Sequence, residues 1–194
     1  MRVIKAIVNN LHRFVLWFLI SAFLWAFVFM LAASVPASKK VVVYLDVPAV
    51  LEDELEDELQ NHLSQGIKAV EVHPFSYDIF ASGAPSGADI YIVPESRVAL
   101  MHELLCPITG ITADGLCVIE GQVFGLEVYT AATDSGHAMR FITYKPDTLE
   151  EGGEPGEGEN CFLCFSKSSK HLGEMNGSAD SAAVDIANAI LNLP

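Results

Sequence analysis

Four cysteines are the residues of this sequence whose chemistry is easiest to recognise from spacing. Cys161 and Cys164 form a Cys-x-x-Cys pattern, which in thiol oxidoreductases needs a strand-to-helix turn that lowers the pKa of the first thiol. Here the pair lies inside an apolar run that predicts a strand, and residues three apart in a strand point to opposite faces. We therefore expect two core thiols, with redox activity and a disulfide to another cysteine as the alternatives.

Cys106 and Cys117 are the other two cysteines, and a glycine-containing loop separates them. A zinc site would need a second cysteine pair with the short spacing of a zinc knuckle, which these two residues lack. Four cysteines are also too few to build a domain of this size mainly from disulfides. No metal and no cofactor are therefore expected, while a disulfide between Cys106 and Cys117 stays open for a domain outside the cell.

Histidines and serines show no arrangement that is typical of catalysis. The six histidines are scattered along the chain, at His12, His62, His73, His102, His137 and His171. None shows the i, i+4 pairing that metal-binding or hydrolase helices use. The serines near His171, which are Ser166, Ser168 and Ser169, lack the Gly-x-Ser-x-Gly elbow of a nucleophile. We therefore predict no catalytic residue.

Ligand-binding residues are expected where parallel strands end. Open α/β sheets bind ligands beyond the carboxyl ends of such strands, and in this sequence the relevant segments follow Leu45, Phe75 and Val93. The polar residues in these segments that could contact a ligand are Tyr77, Asp78 and Glu95. An ordinary surface-loop role is the alternative for all three.

The elements that would position these residues alternate between strands and helices. Apolar, β-branched or alternating runs predict strands over residues 41–45, 67–75, 88–93, 116–120, 123–129, 139–144 and 161–165. Helices are predicted over residues 49–64, 94–105 and 179–192, the first of them from leucines at positions 51, 55, 59 and 63. This order predicts a three-layer-like mixed α/β sheet with parallel pairs and flanking helices.

An N-terminal apolar segment precedes this domain. Over residues 14–33 Ser21 is the one clearly polar side chain, and a helix of that length, at about 1.5 Å per residue, spans the roughly 30 Å of a bilayer core. Pro36 then ends the helix. We therefore predict a cytoplasmic N-terminus over residues 1–13, a transmembrane helix over 14–34, a linker over 35–40 and an extracytoplasmic α/β domain over 41–194.

Flanking charge predicts the orientation of this helix. The flanking bases are Arg2, Lys5 and Arg13 before it and Lys39 and Lys40 after it. The excess on the first side favours a cytoplasmic N-terminus. The alternative is a signal peptide cleaved near Ala37, although the apolar stretch exceeds the usual length of about 7–15 residues. Both readings place the domain outside.

The domain behind the helix is strongly acidic. All 25 acids and eight of the 11 bases follow residue 37, which gives this part of the chain a net charge of −17. Such a charge repels nucleic-acid phosphate and anionic headgroups, so nucleic acid is excluded as a partner and membrane lipid is expected to contact residues 14–34. A cation or a basic protein surface suits the domain better. The Gly- and Glu-rich segment 149–160 is predicted to be a mobile loop.

Several stretches resemble the extracellular solute-binding proteins of bacterial ABC importers, in their two-lobed class. These stretches are the strand and leucine helix over residues 41–64, the strands over 67–75 and 88–93, residues 121–129, and residues 161–171 with the terminal helix. Glu127 stands where that family usually has a proline, and the chain has room for one lobe instead of two. The resemblance implies the fold of one lobe and an extracytoplasmic location, and it carries over no ligand-binding residue.

Together these features predict a membrane-anchored extracytoplasmic module that binds or interacts and is not an enzyme. The resemblance implies that it is accessory to an ABC-type transporter or to another envelope protein. The alternatives are a thiol-redox or hydrolytic envelope enzyme and a purely structural envelope protein. The sequence predicts no particular small-molecule ligand.

Overall fold

The computed structural model describes residues 2–33, 35–75, 87–109, 115–145 and 158–194. The chain forms two compact units, which divide between Pro36 and Ala37. Helix α1, Arg2–Ala33, makes up most of the first unit. The window Arg13–Met30 is long and apolar enough to cross a membrane, and none of it is buried inside the protein. This helix is consistent with a membrane anchor or with a signal sequence.

A mixed sheet forms the centre of the second unit. The strands in chain order are β1 (Lys40–Leu45), β2 (Ala49–Val50), β3 (Ala69–Pro74), β4 (Ile90–Pro94), β5 (Leu116–Ile119), β6 (Gln122–Thr130), β7 (Ser135–Gly136), β8 (Ile142–Thr143) and β9 (Cys161–Phe165). The main sheet has the order β3-β1-β4-β9-β6-β5, with β7 added to β6, and β2 pairs separately with β8. β1 is parallel to both β3 and β4, whereas β9 runs antiparallel to β4 and to β6.

Helices cover both faces of this sheet. They are α2 (Glu52–Gln60), α3 (Glu95–Met101) and α4 (Ala182–Asn192). Leu55 of α2 and Ile186 of α4 pack into one hydrophobic cluster, while Val98 of α3 packs into a second cluster. β4 separates the two clusters, because Ile92 faces the first cluster and Val93 faces the second. The predicted fold class, an apolar helix followed by a mixed α/β sheet with flanking helices, is confirmed.

The leucine helix is shorter than the sequence predicted. Leu55 and Leu59 are fully buried as expected, but Leu51 lies before α2 and is 50% exposed. The helix starts late because the preceding Ala49–Val50 pair with β8 as a strand. Local leucine spacing therefore located the buried face of α2 but not its first residue.

The predicted strand over residues 139–144 is mostly a turn. The backbone N–H groups of Phe141 and Ile142 both donate to the carbonyl of Ala138, at 2.9 and 3.0 Å. Ala138 itself has a positive φ of 56°. The turn leaves only Ile142–Thr143 to form β8. The predicted loop over residues 149–160 lies outside the described residues except for its last three positions.

Candidate functional site

The polar side chains that could carry a function lie at the two opposite ends of the sheet. The carboxyl rim, at the end where β1, β3 and β4 finish, consists of Asp46, Glu95, Arg97, Glu159 and Asn160. The amino rim, at the end where the same strands begin, consists of Asp89, Ser169, His171 and Asp180. Because β9 is antiparallel to β4, residues before β9 join the carboxyl rim and residues after it join the amino rim.

An ion pair occupies the middle of the carboxyl rim. Nε of Arg97 donates to Oδ2 of Asp46 at 3.1 Å, and the two side chains are 34% and 27% exposed. The backbone N–H of Asp46 donates to the carbonyl of Ile92 at 2.8 Å, which fixes the acid between the ends of β1 and β4. Arg97 is the basic residue of this rim, and Asp46 balances its positive charge.

The segment before β9 is fastened to the start of α3. Glu159 Oε2 accepts the backbone N–H of Ser96 at 3.1 Å, and the carbonyl of Asn160 accepts that of Glu95 at 3.0 Å. Asn160 Oδ1 also accepts the N–H of Ala131 at 2.9 Å. A carboxylate at the first turn of a helix interacts favourably with its free N–H groups. These bonds hold the exposed acids Glu95 and Glu159 beside each other.

Of the three residues predicted to contact a ligand, the structure places Glu95 on the carboxyl rim. Tyr77 and Asp78 lie outside the described residues. Glu95 is solvent-exposed, and its contact with a ligand stays a prediction. With Arg97 balanced by Asp46, the described part of this rim presents an excess of negative charge.

Asp89 is the central residue of the amino rim, and it is only 4% exposed. Its Oδ2 accepts the N–H of Val42 at 2.9 Å, and its Oδ1 accepts the hydroxyl of Ser169 at 2.6 Å. Burial raises the pKa of Asp89, while these two hydrogen bonds and the nearby His171 oppose the rise. The carboxyl group therefore connects β1, β4 and the segment after β9 inside the protein.

His171 extends this network to the first residue of the second unit. The ring is 1% exposed, with Nδ1 2.8 Å from Asp180 Oδ1 and Nε2 3.3 Å from the carbonyl of Ala37. Both neighbours are hydrogen-bond acceptors, so each ring nitrogen faces a group to which it can donate. Asp180 Oδ1 also accepts the N–H of Ala182 at 3.1 Å, at the start of α4.

The amino rim contains a serine, a histidine and acids, but not in the arrangement of a catalytic triad. Such a triad needs the serine hydroxyl to donate to a ring nitrogen of the histidine. Here the hydroxyl of Ser169 donates to Asp89 and accepts the backbone N–H of His171 at 3.1 Å. The ring nitrogens of His171 face Asp180 and Ala37 instead. This network therefore holds segments together and does not activate a nucleophile.

A cavity of about 560 Å³ lies beside the amino rim. Its lining includes Ser38, Lys167, Ser169, Lys170, His171, Asn176, Ser178 and Asp180. Asn176 Nδ2 donates to the carbonyl of Ser169 at 2.7 Å, and the hydroxyl of Ser178 donates to Asn176, so the far wall is fixed by hydrogen bonds. The sequence analysis placed ligand contacts at the carboxyl ends of the parallel strands and did not predict this cavity at the amino rim.

All four cysteines are buried free thiols. Burial raises the pKa of Cys161 to about 12, and the nearby acids Asp46 and Glu159 add to the rise. Burial likewise raises the pKa of Cys164 well above its ordinary value, and that of Cys106 and of Cys117. Cys161 and Cys164 pack in the clusters on opposite faces of the sheet, as their spacing in a strand requires.

The disulfide that the spacing of Cys106 and Cys117 left open is not formed in the structure. Cys106 packs in the cluster that contains α2 and α4, whereas Cys117 packs in the cluster on the other face. Cys117 instead approaches Cys164, because Gly125 lies between them on β6 without a side chain. Among the described residues, no group of three or more His, Cys, Asp and Glu side chains could hold a metal ion.

The chain matches no protein-family model and no curated protein sequence. Five chains of solved structures match, and one of them is thiaminase I from Bacillus thiaminolyticus, which has a periplasmic-binding-protein-like fold. The match has 16% sequence identity and a TM-score of 0.33, and it covers 46% of this chain. The match spans 28% of the thiaminase chain, so this chain corresponds to only part of that protein's length.

The sequence analysis predicted neither the hydrogen-bond network of the amino rim nor the residues that lie beside Glu95 on the carboxyl rim. Asp89 had a usable signal, since it is an acid at the beginning of an otherwise apolar strand. Ser169 lies 80 residues from Asp89 in the chain, and Arg97 lies 51 residues from Asp46. Nothing in the local spacing of these residues indicates that they meet.

Proposed function

We propose that this protein is a membrane-anchored, extracytoplasmic module that binds a partner through its carboxyl rim and performs no catalysis. The observation that carries the proposal is the charge of this rim. Glu95 and Glu159 are exposed, and hydrogen bonds hold the backbone of Glu95 and the carboxylate of Glu159. The arginine beside them is already paired with Asp46. A fixed and accessible acidic surface is complementary to a basic one.

The partner class follows from this charge and from the helix at the N-terminus. A basic surface on a transporter subunit or on another protein of the envelope would meet both requirements. We place the residues before the apolar window of α1 in the cytoplasm. Three basic residues precede this window or lie at its start, and such residues favour the cytoplasmic side. α1 then serves as an anchor and is retained in the mature protein.

Two observations argue against an enzyme that uses thiols or a serine. The thiol of Cys161 has a pKa of about 12 and lies in the core, so little of the reactive thiolate is present at neutral pH. The hydroxyl of Ser169 donates its hydrogen bond to Asp89 and not to a histidine that could act as a general base. A purely structural role in the envelope remains the competing proposal, and it predicts no dependence on the charge of the carboxyl rim.

Charge reversal at one matched pair of positions tests this proposal. Glu95→Lys alters the carboxyl rim, and Glu54→Lys alters the acidic outer surface of α2; both residues are exposed and lie in the first turn of a helix. The full-length variants would be expressed in the native cell and cross-linked in the membrane. We expect a cross-linked partner to be lost with Glu95→Lys and retained with Glu54→Lys.

Equal behaviour of the two variants would contradict a binding role for the carboxyl rim. Titration of the folded protein with a thiol reagent checks the non-enzymatic part: we expect no fast-reacting cysteine. A thiol at Cys161 that reacts as fast as a free cysteine would favour the oxidoreductase instead. The mass of the mature chain decides whether α1 is retained, since cleavage near Ala37 would remove it.

A further inference from the structure

Basic side chains in the second unit gather at one end of an otherwise acidic fold. Eight lysines and arginines follow residue 37. Five of them lie at or next to the starts of the parallel strands or directly after β9, and these are Lys39, Lys40, Lys68, Lys167 and Lys170. The backbone N–H of Lys68 donates to the carbonyl of Lys39 at 2.7 Å, which places those two residues side by side. The net charge of −17 is therefore not uniform over the surface.

Four of these five lysines have no acidic partner within the described part of the chain. Lys40 forms an ion pair with Glu71 at 2.7 Å, but no described carboxylate lies within ion-pair distance of Lys39, Lys68, Lys167 or Lys170. Lys167 and Lys170 are the two of these four that line the cavity beside the amino rim, and both are exposed. In a unit with three acids for every base, two unpaired lysines at one cavity are unexpected.

The remaining wall of the cavity does not cancel this charge. Asp180 is the acid in the lining, and it is engaged by His171 and by the N–H of Ala182. Ser38, Asn176 and Ser178 add polar groups, and the cavity volume of about 560 Å³ is that of a small-molecule site. His171 and Ser169, which are 1% and 6% exposed, form a floor that cannot move freely.

We propose that this cavity binds the phosphate group of an anionic phosphate ester, with Lys167 and Lys170 as the binding charges. Lysine ammonium groups bind phosphate as point charges, and their hydrogen bonds to an anion are stronger than neutral ones. Ser38 follows Ala33 by only five residues in the sequence, a stretch that spans at most about 18 Å. If α1 is retained in the membrane as proposed above, a lipid headgroup is one source of the phosphate, and a soluble phosphate ester is the other.

The test uses the full-length chain in nanodiscs of zwitterionic lipid and glycerol 3-phosphate as the probe. Binding would be measured by ³¹P NMR titration for the wild type, for Lys167→Gln/Lys170→Gln, and for Lys39→Gln/Lys68→Gln. The last variant removes the same charge from the same end of the sheet but not from the cavity wall. We expect saturable binding that weakens about tenfold or more in the first variant and less than about threefold in the second.

A second arm separates the two sources of phosphate. In nanodiscs that contain phosphatidylglycerol, loss of glycerol 3-phosphate binding by the wild type would identify a lipid headgroup as the occupant. Unchanged binding in both nanodiscs would identify a soluble ester. No saturable binding by the wild type in zwitterionic nanodiscs, or equal weakening in the two double variants, would overturn the proposal. Neither result bears on the carboxyl rim, because none of these four lysines lies there.

Discussion

The two ends of the sheet use polar residues in opposite ways. At the amino rim, Asp89 and His171 are almost fully buried, and each hydrogen-bonds to segments that are distant in the sequence. At the carboxyl rim, Asp46 and Arg97 are about one-third exposed, and Glu95 is open to solvent. Buried polar groups are costly unless they are paired, whereas exposed ones are free to interact with a partner. The amino rim network therefore maintains the fold, while the carboxyl rim remains available for binding.

The largest effect is expected when the centre of the amino rim is removed. Asp89→Ala leaves the N–H of Val42 and the hydroxyl of Ser169 buried without an acceptor, so we expect a loss of about 2–4 kcal/mol in the free energy of unfolding. Urea unfolding followed by circular dichroism measures it. A loss below about 1 kcal/mol would break the contrast between the two rims.

Removing His171 of the same rim should lower the free energy of unfolding by a smaller amount. His171→Phe keeps an aromatic ring of similar size but leaves the Ala37 carbonyl and the Asp180 carboxylate without this donor, and we expect a loss of about 1–2 kcal/mol. His73→Phe is the matched control, because the side chain of His73 is 40% exposed. Urea unfolding again gives the measurement. Equal losses of unfolding free energy in the two variants would show that the effect does not depend on burial of the histidine ring.

A pH series isolates the ionisation of Asp89. Burial raises its pKa in the folded state, so the folded form holds its proton at a higher pH than the unfolded chain does. The contribution of Asp89 to stability is therefore greatest below the ordinary aspartate pKa of about 3.9, and part of it is lost as the pH rises to the folded pKa. In Asp89→Asn this loss should be absent when unfolding is compared between pH 4 and 7.

The smallest effect on stability is expected at the carboxyl rim. Arg97→Met removes an ion pair whose members are 34% and 27% exposed, so we expect a change of at most about 1 kcal/mol. The same urea measurement applies, with the wild type at raised salt as a second check. A loss as large as that of Asp89→Ala would mean that both rims are structural, and it would remove the basis for a binding surface at the carboxyl rim.

Sequence patterns predicted the layers of this molecule better than its polar contacts. Leu55 and Leu59 follow from helical periodicity, and the alternation of Ile92 and Val93 between faces follows from strand geometry, because both rules act over a few residues. The limits of α2 and β8 did not follow, since they depend on the pairing of residues 49–50 with 142–143.

The candidate sites were less predictable than the fold. Placing Glu95 required only the rule that ligands bind where parallel strands end. The Asp46–Arg97 pair of the carboxyl rim and the Asp89–Ser169 pair of the amino rim join residues 51 and 80 positions apart, and one sequence contains no signal for such contacts. The sequence gives the total charge of the second unit, but the gathering of lysines at the amino end of the sheet depends on how β1, β3 and β9 are ordered in the sheet.

The position of β1 bears on how the molecule responds to mechanical force. A pull on the chain before Ala37 would load β1, which pairs with β3 over the six positions of Lys40–Leu45 and with β4 over the last three of them. Because β1 is paired on both sides, a force along the strand shears two rows of hydrogen bonds together instead of opening them one by one. A domain held at its N-terminus in this way resists tension at a strand that is paired on both sides.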